Sequence, residues 1–210
     1  MAGLDHPIFL ESIRRIREQL GETALNPLQQ TVLERLIHSS GDLGIASLLT
    51  FSEEACESGV AALEAGASIL TDTAMAAAAV VPMAKRTLHT TVHTLLDWAP
   101  ETSPSGSTRS ALGMKSAWFE LATQMPAPVV LIGSAPTAMD VLLDLVRDGA
   151  TSPSLIIGMP VGFVGVAESK QRLAVSGLPQ IRLDGSRGGA GLAASVVNAL
   201  LRSSFQRPEL

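Results

Sequence analysis

The chain has 210 residues, 46% hydrophobic and 17% charged, a balance that excludes disorder as its dominant state and suits one sizeable core. Five Phe, two Trp and no Tyr leave aromatic stacking no general role, which argues against a single-stranded nucleic-acid binder. Fifteen Lys and Arg against 20 Asp and Glu give a net charge of −5, and with no basic run to offset it a phosphate backbone is repelled.

Cys56 is the single cysteine, so an intrachain disulfide and a multi-cysteine zinc site are both ruled out, and a reducing, cytoplasmic compartment is expected. The opening MAGLDHPIFLESIRRIREQL lacks the basic-then-apolar pattern of an export signal. The longest weakly polar runs, 73–84 and 155–167, fall short of the roughly 20 residues that a bilayer span requires. Neither nucleic acid nor membrane is expected as a partner.

In chain order, Ile13, Ile16 and Leu20 line one face of a first helix, and Val32, Leu33, Leu36 and Ile37 do the same for a second that begins near Pro27 and stops at Gly41. Ser52-Glu53-Glu54-Ala55 predicts a capped third helix closed by Gly66. Five strands are then expected: Ser68–Leu70, Leu88–Thr94, Val129–Gly133, Leu155–Met159 and Gln180–Leu183. VVLIG and LIIGM are continuous apolar runs, the signature of parallel strands covered on both faces. Between them Ser134-Ala135-Pro136-Thr137 reads as a cap and first turn, followed by Met139, Leu142, Leu143 and Val146 at helical spacing. AMAAAAVV reads as a tightly packed small-residue helix, APETSPSGST at 99–108 as a loop, and AASVVNALL as a last helix. The alternation predicts a single α/β domain over 1–210, a three-layer, open, mostly parallel sheet of about five strands with helices on both faces.

In such sheets ligands gather beyond the carboxyl ends of the strands. That rule selects Asp72, Ser134, residues 160–165 and the loop GSRGGAG at 185–191. The loop precedes a helix and lacks both the P-loop ending and the dinucleotide spacing, so an anion seat and a plain tight turn stand as equal readings. Glu168, Ser169 and Lys170 fall in the first turns of a helix, where a solvated surface is the simplest account. His89 and His93 share a face if LHTTVHT is a strand, but two further metal ligands are missing, and no metal site is assigned. His38 ends its helix beside Ser39, Ser40, Gly41 and Asp42, where a bland helix-terminal histidine is the simplest account.

Taken together, LIHSSGD at 36–42, ILTDTAM at 69–75, STRSALG at 107–113, LIGSAPTAM at 131–139, GMPVGFVGVAESK at 158–170 and GSRGGAGLAASVVNAL at 185–200 resemble the precorrin-8X methylmutase family, in family order and over nearly the whole chain. The resemblance implies a cofactor-independent isomerase of cobalamin biosynthesis. It would move a methyl group between neighbouring carbons of ring C of precorrin-8X or cobalt-precorrin-8, giving hydrogenobyrinate or cob(II)yrinate, and it would act as a homodimer. It places the catalytic acid on His38 and substrate contacts on Ser12 and Arg109; Asp72, Ser110, Ser134, Gly162 and Lys170, at strand ends or within the quoted motifs, are expected as further substrate contacts. Arg187, Gly188 and Gly189 are expected to hold a peripheral carboxylate of the macrocycle, and residues 99–108 to form a mobile loop at the entrance. A corrinoid carrier that binds without catalysing is the alternative, and retention of His38 weighs against it.

Overall fold

The computed structural model describes residues 6–206, so the first five residues of the segment searched for an export signal lie outside it. The chain forms a six-stranded sheet in the order β1-β6-β5-β4-β2-β3. The strands are β1 (Leu49–Phe51), β2 (Ile69–Thr71), β3 (Val92–Thr94), β4 (Val129–Ile132), β5 (Leu155–Gly158) and β6 (Gln180–Leu183). Every pairing is parallel except β1 with β6. The five expected strands are present, and the sixth, β1, is an antiparallel edge of three half-buried residues too short to show a period.

Strand residues alternate between two cores. Val129, Leu131, Leu155 and Ile157 face one cluster, built with helices α2 (Pro27–Ser40), α3 (Ala55–Glu64), α4 (Ala74–Arg86) and α8 (Ala190–Gln206). Val130, Ile132 and Ile156 face the other, built with α5 (Arg109–Leu121), α6 (Pro136–Arg147) and α7 (Val166–Ala174). Both faces of the central strands are therefore dry, which is why they read as unbroken apolar runs. Helix α1 (Pro7–Leu20) stands outside these layers and packs Ile13 and Ile16 against Leu33 and Ile37 of α2.

Helix ends follow local chemistry. Asn26 and Gln29 form a reciprocal capping box at the start of α2, and Gly41 ends that helix in the left-handed region at φ 66°. The third helix departs from expectation: Ser52 exchanges hydrogen bonds with Gln180 and so prolongs the β1–β6 pairing. The turn into α3 is made instead by Glu54 at φ 52°, without a side-chain cap. Only 92–94 of the expected 88–94 strand is extended, because His89 turns the chain at φ 55°; it does not share a strand face with His93. Residues 109–121, of which the sequence reading covered only 109–113 within STRSALG and assigned no element, form α5, capped by Thr108.

Candidate active site

The carboxyl ends of β2, β4, β5 and β6 share a floor made largely of backbone. Strand order reverses between β2 and β4, the crevice where open α/β sheets bind ligands. Here it is closed internally. Asp72, fully buried just after β2, accepts hydrogen bonds through Oδ2 from the amides of Gly133, Ser134 and Ala135 at 3.0, 2.6 and 2.8 Å. Asp72 thereby fixes the turn that enters α6; the sequence suggested Ser134 as the cap of that helix, whereas the N-cap residue is Ala135 and makes no side-chain bond. Burial raises the Asp72 pKa while the three amides pull it down, and Oδ1 is left buried without a partner. This side chain thus holds the turn that leads from β4 into α6.

Next to it, the loops after β4, β5 and β6 are bonded to one another. Val161 donates to the carbonyl of Gly133, Gly162 to that of Ser186, and Gly189 to that of Met159. A Cβ on Gly188 would lie 2.0 Å from the Met159 carbonyl oxygen, so this glycine exists for close backbone approach. Gly189 has already committed its amide, which leaves the first-turn amides of α8 as the helix-end donors without intrahelical acceptors.

Lys170 supports this loop from beneath. It is 2% exposed and donates to the carbonyls of Gly185 and Arg187, both at 2.7 Å. Burial pushes its pKa down to about 8, with Asp184 pulling it back. The solvated surface lysine suggested by composition is therefore a buried brace. Ser169, one residue earlier, is equally buried and donates to the Pro136 carbonyl at the start of α6, so one turn of α7 holds two loops.

His38 approaches the floor from the other direction. Arg187 pairs with Asp42 at 2.7 Å, joining the β6 loop to the segment that follows α2 and bringing His38 to the same end of the sheet. The exposed imidazole meets the Ser12 hydroxyl of α1 through Nδ1 at 2.8 Å, and its ring stands edge-on to Phe9 with centroids 4.9 Å apart. Its pKa is lowered, first by burial of the ring against α1 and then by the charge of Arg35. The α1–α2 contact that sets this geometry includes Glu34, 3% exposed, which accepts from Arg17 at 2.7 and 2.9 Å.

Arg109 and Ser110 open α5, exposed and half-buried respectively. Arg109 donates to the Pro100 carbonyl, and Thr108 bonds Thr137 in the first turn of α6, which places this segment on the β4 side of the sheet end. His38 and Arg187 occupy the β6 side. Phe9 escaped the sequence reading, its signal being the spacing to Ser12 and Ile13 on one helix face, and Asp42, noted beside His38, was given no role there. Among the described residues no group of three or more His, Cys, Asp and Glu is placed to hold a metal ion, and no helix is long and apolar enough to cross a membrane.

The fold is a mostly parallel α/β domain whose candidate site lies at the sheet end, with a histidine at its rim and no phosphate-binding fingerprint in the loops. Residues 7–203 match the family model of precorrin-8X methylmutase. The chain is 39% identical over 199 residues to a precorrin-8X methylmutase of Pseudomonas aeruginosa, covering 92% of this chain and 93% of that one. It is 34% identical over 220 residues to a cobalt-precorrin-8 methylmutase of Synechocystis, covering 98% and 99%. The crystal structure of a precorrin-8X methylmutase from Thermus thermophilus superposes with a TM-score of 0.84 at 33% identity, covering 95% of this chain and 98% of that one. The chain belongs to the precorrin-8X methylmutase family and is an isomerase of the methylmutase class.

Proposed function

We propose that the protein converts precorrin-8X or cobalt-precorrin-8 into the corresponding corrin by moving one methyl group between neighbouring ring-C carbons, with His38 as the acid. The observation that carries this reading is the Ser12–His38 contact at the rim of the sheet-end floor. An isomerisation gains and loses no atoms: the bond from methyl to one ring carbon breaks as the bond to its neighbour forms. What the protein must supply is a donor that stabilises the redistributed π-electrons, an effect worth ~10²- to 10⁴-fold in rate. With Ser12 donating to Nδ1, the neutral imidazole keeps its proton on Nε2, ready to be shared with the macrocycle and returned.

Binding falls to a different set. Arg187 and the opening amides of α8 suit a peripheral carboxylate, with Asp42 holding the guanidinium in place. Arg109 and Ser110 lie on the β4 side and are assigned to carboxylates there. Asp72, Ser134, Gly162, Gly188, Gly189 and Lys170 shape the floor on which these donors stand. A cytoplasmic homodimer is part of the reading. In support, Ile8 is 73% exposed on α1 four residues before Ser12.

The test is single turnover of the purified protein with precorrin-8X and with cobalt-precorrin-8, followed by absorption, beside product binding. His38→Ala should lose at least ~100-fold in rate and retain most of the product affinity. Full turnover by that variant removes His38 from the chemistry, and binding without turnover by the wild type favours the carrier.

A further inference from the structure

The loop between β5 and α7 carries three exposed apolar side chains in four residues. Phe163 is 95% exposed and Val164 89%, with Val161 at 49% beside them. A run of this kind at a loop tip is uncommon unless something covers it. The base of the loop is fixed: Val161 donates to Gly133, Gly162 to Ser186, and Val166 is buried at the start of α7. Gly162 at φ 143° and Gly165 at φ 69° bracket the tip, conformations that side chains other than glycine rarely adopt, so the backbone is built to turn Phe163 and Val164 outward. The residues beside this tip are polar: Ser186 accepts from Gly162, and Arg187 next to it pairs with Asp42, four residues after His38.

Resting on the function proposed above, we infer that Phe163 and Val164 are substrate-positioning residues that lie against the apolar face of the tetrapyrrole ring while Arg187 takes a carboxylate at its edge. The chemistry of the ligand calls for this pairing. A flat conjugated macrocycle with acidic arms needs an apolar surface beside cationic donors, and the 161–164 tip and the 185–187 loop supply the two side by side. Polar loops alone would hold the arms and leave the ring in water, and an apolar patch distant from the donors would gain nothing from them. The two consecutive large side chains would contribute to binding and to orienting ring C toward His38, without touching the migrating methyl.

The test uses the full-length wild type, Phe163→Ser/Val164→Ser, Phe163→Leu, and as a control Phe119→Ser, which alters a side chain 88% exposed near the far end of α5. KM for the substrate that the wild type accepts, product Kd by absorption titration, single-turnover rate and sedimentation mass are measured for each. The double substitution should raise KM and product Kd by about 10- to 100-fold. That loss should exceed the change in single-turnover rate and leave the mass as in wild type. Phe163→Leu should recover most of the affinity, and Phe119→Ser should leave KM where it was. Affinities within twofold of wild type, or a drop in assembly mass showing that the tip packs on a second copy, would overturn the assignment. A wild type that neither binds nor converts either tetrapyrrole overturns the function as well, whereas wild-type turnover with unaltered variant affinity overturns only the role of the loop.

Discussion

The floor of the site and its rim are built by opposite strategies. On the floor, Asp72, Gly188 and Lys170 are held by main-chain groups: three amides on one carboxylate oxygen, a glycine against a carbonyl, an ammonium between two carbonyls. At the rim, Ser12, His38, Arg187 and Asp42 meet side chain to side chain, His38 and Arg187 exposed to water. Buried polar groups with main-chain partners are costly to disturb, whereas exposed pairs contribute little to stability. Substitution should therefore separate the two regions cleanly, the floor reporting in stability and the rim in rate and affinity.

The largest effect is expected at Gly188. A Cβ there lies 2.0 Å from a backbone oxygen that cannot swing aside, so Gly188→Val should cost about 3–5 kcal/mol in urea unfolding or leave the protein insoluble. This position is a poor probe of ligand binding for the same reason. Asp72 follows. Asp72→Ala strands three amides at the start of α6 and should cost about 3 kcal/mol, while Asp72→Asn keeps an acceptor oxygen for them and should cost no more than about 1 kcal/mol. Equal losses in the two variants would show that the negative charge, and not the acceptor, is what the helix end requires.

Lys170→Met should cost about 2 kcal/mol by removing the donor from two buried carbonyls. It carries a pH signature as well. The folded-state pKa of about 8 lies below the ordinary lysine value, so between these the unfolded chain binds a proton that the native chain does not. The advantage of wild type over Lys170→Met should then be largest above pH 10.5, shrink as pH falls toward 8, and level off below it. A difference independent of pH from 7 to 10.5 would place the ammonium in a better-solvated setting than its burial implies.

Much of the floor was legible in the sequence because parallel strands covered on both faces must be apolar throughout, and because the loops after them fall where an open sheet binds ligands. What escaped was side-chain partnership over long separations. Nothing local says that Asp72 binds three amides of a turn more than 60 residues away. Nothing in GVAESK distinguishes a solvated lysine from one buried beneath a loop still 15 residues distant. Ser52 misled for a related reason: the chain does turn there, with Ala55 donating to its carbonyl, but the Ser52 hydroxyl accepts from the Gln180 amide of β6 and is not free to cap α3. The edge strand β1 was lost because three half-buried residues carry no period. At the rim, Ser12 and His38 came from family resemblance, and the physical reason they meet, the apolar seam of α1 on α2, was visible as two separate helix faces with nothing to say that they face each other.

The smallest effect expected is the most informative about the rim. Ser12→Ala removes one hydrogen bond from a half-buried serine, so stability should change by less than about 0.5 kcal/mol. The rate should fall by about 3- to 10-fold, the worth of a hydrogen bond that holds the ring and selects its tautomer. Ser12→Thr, which keeps the hydroxyl, should restore most of that loss, and KM should change in neither variant. The pH profile then decides which form of His38 acts. Burial and the charge of Arg35 lower its pKa below the ordinary histidine value, so at neutral pH and above the ring is largely neutral. If the neutral ring donates from Nε2, single-turnover rate should hold a plateau from pH 7 to 8.5, lower but equally flat in Ser12→Ala. A rate falling tenfold per pH unit across that range would mean that the imidazolium is the acid. In that case Ser12 accepts from Nδ1–H, and its removal should lower the pKa of the acid further and move the falling limb to more acid pH.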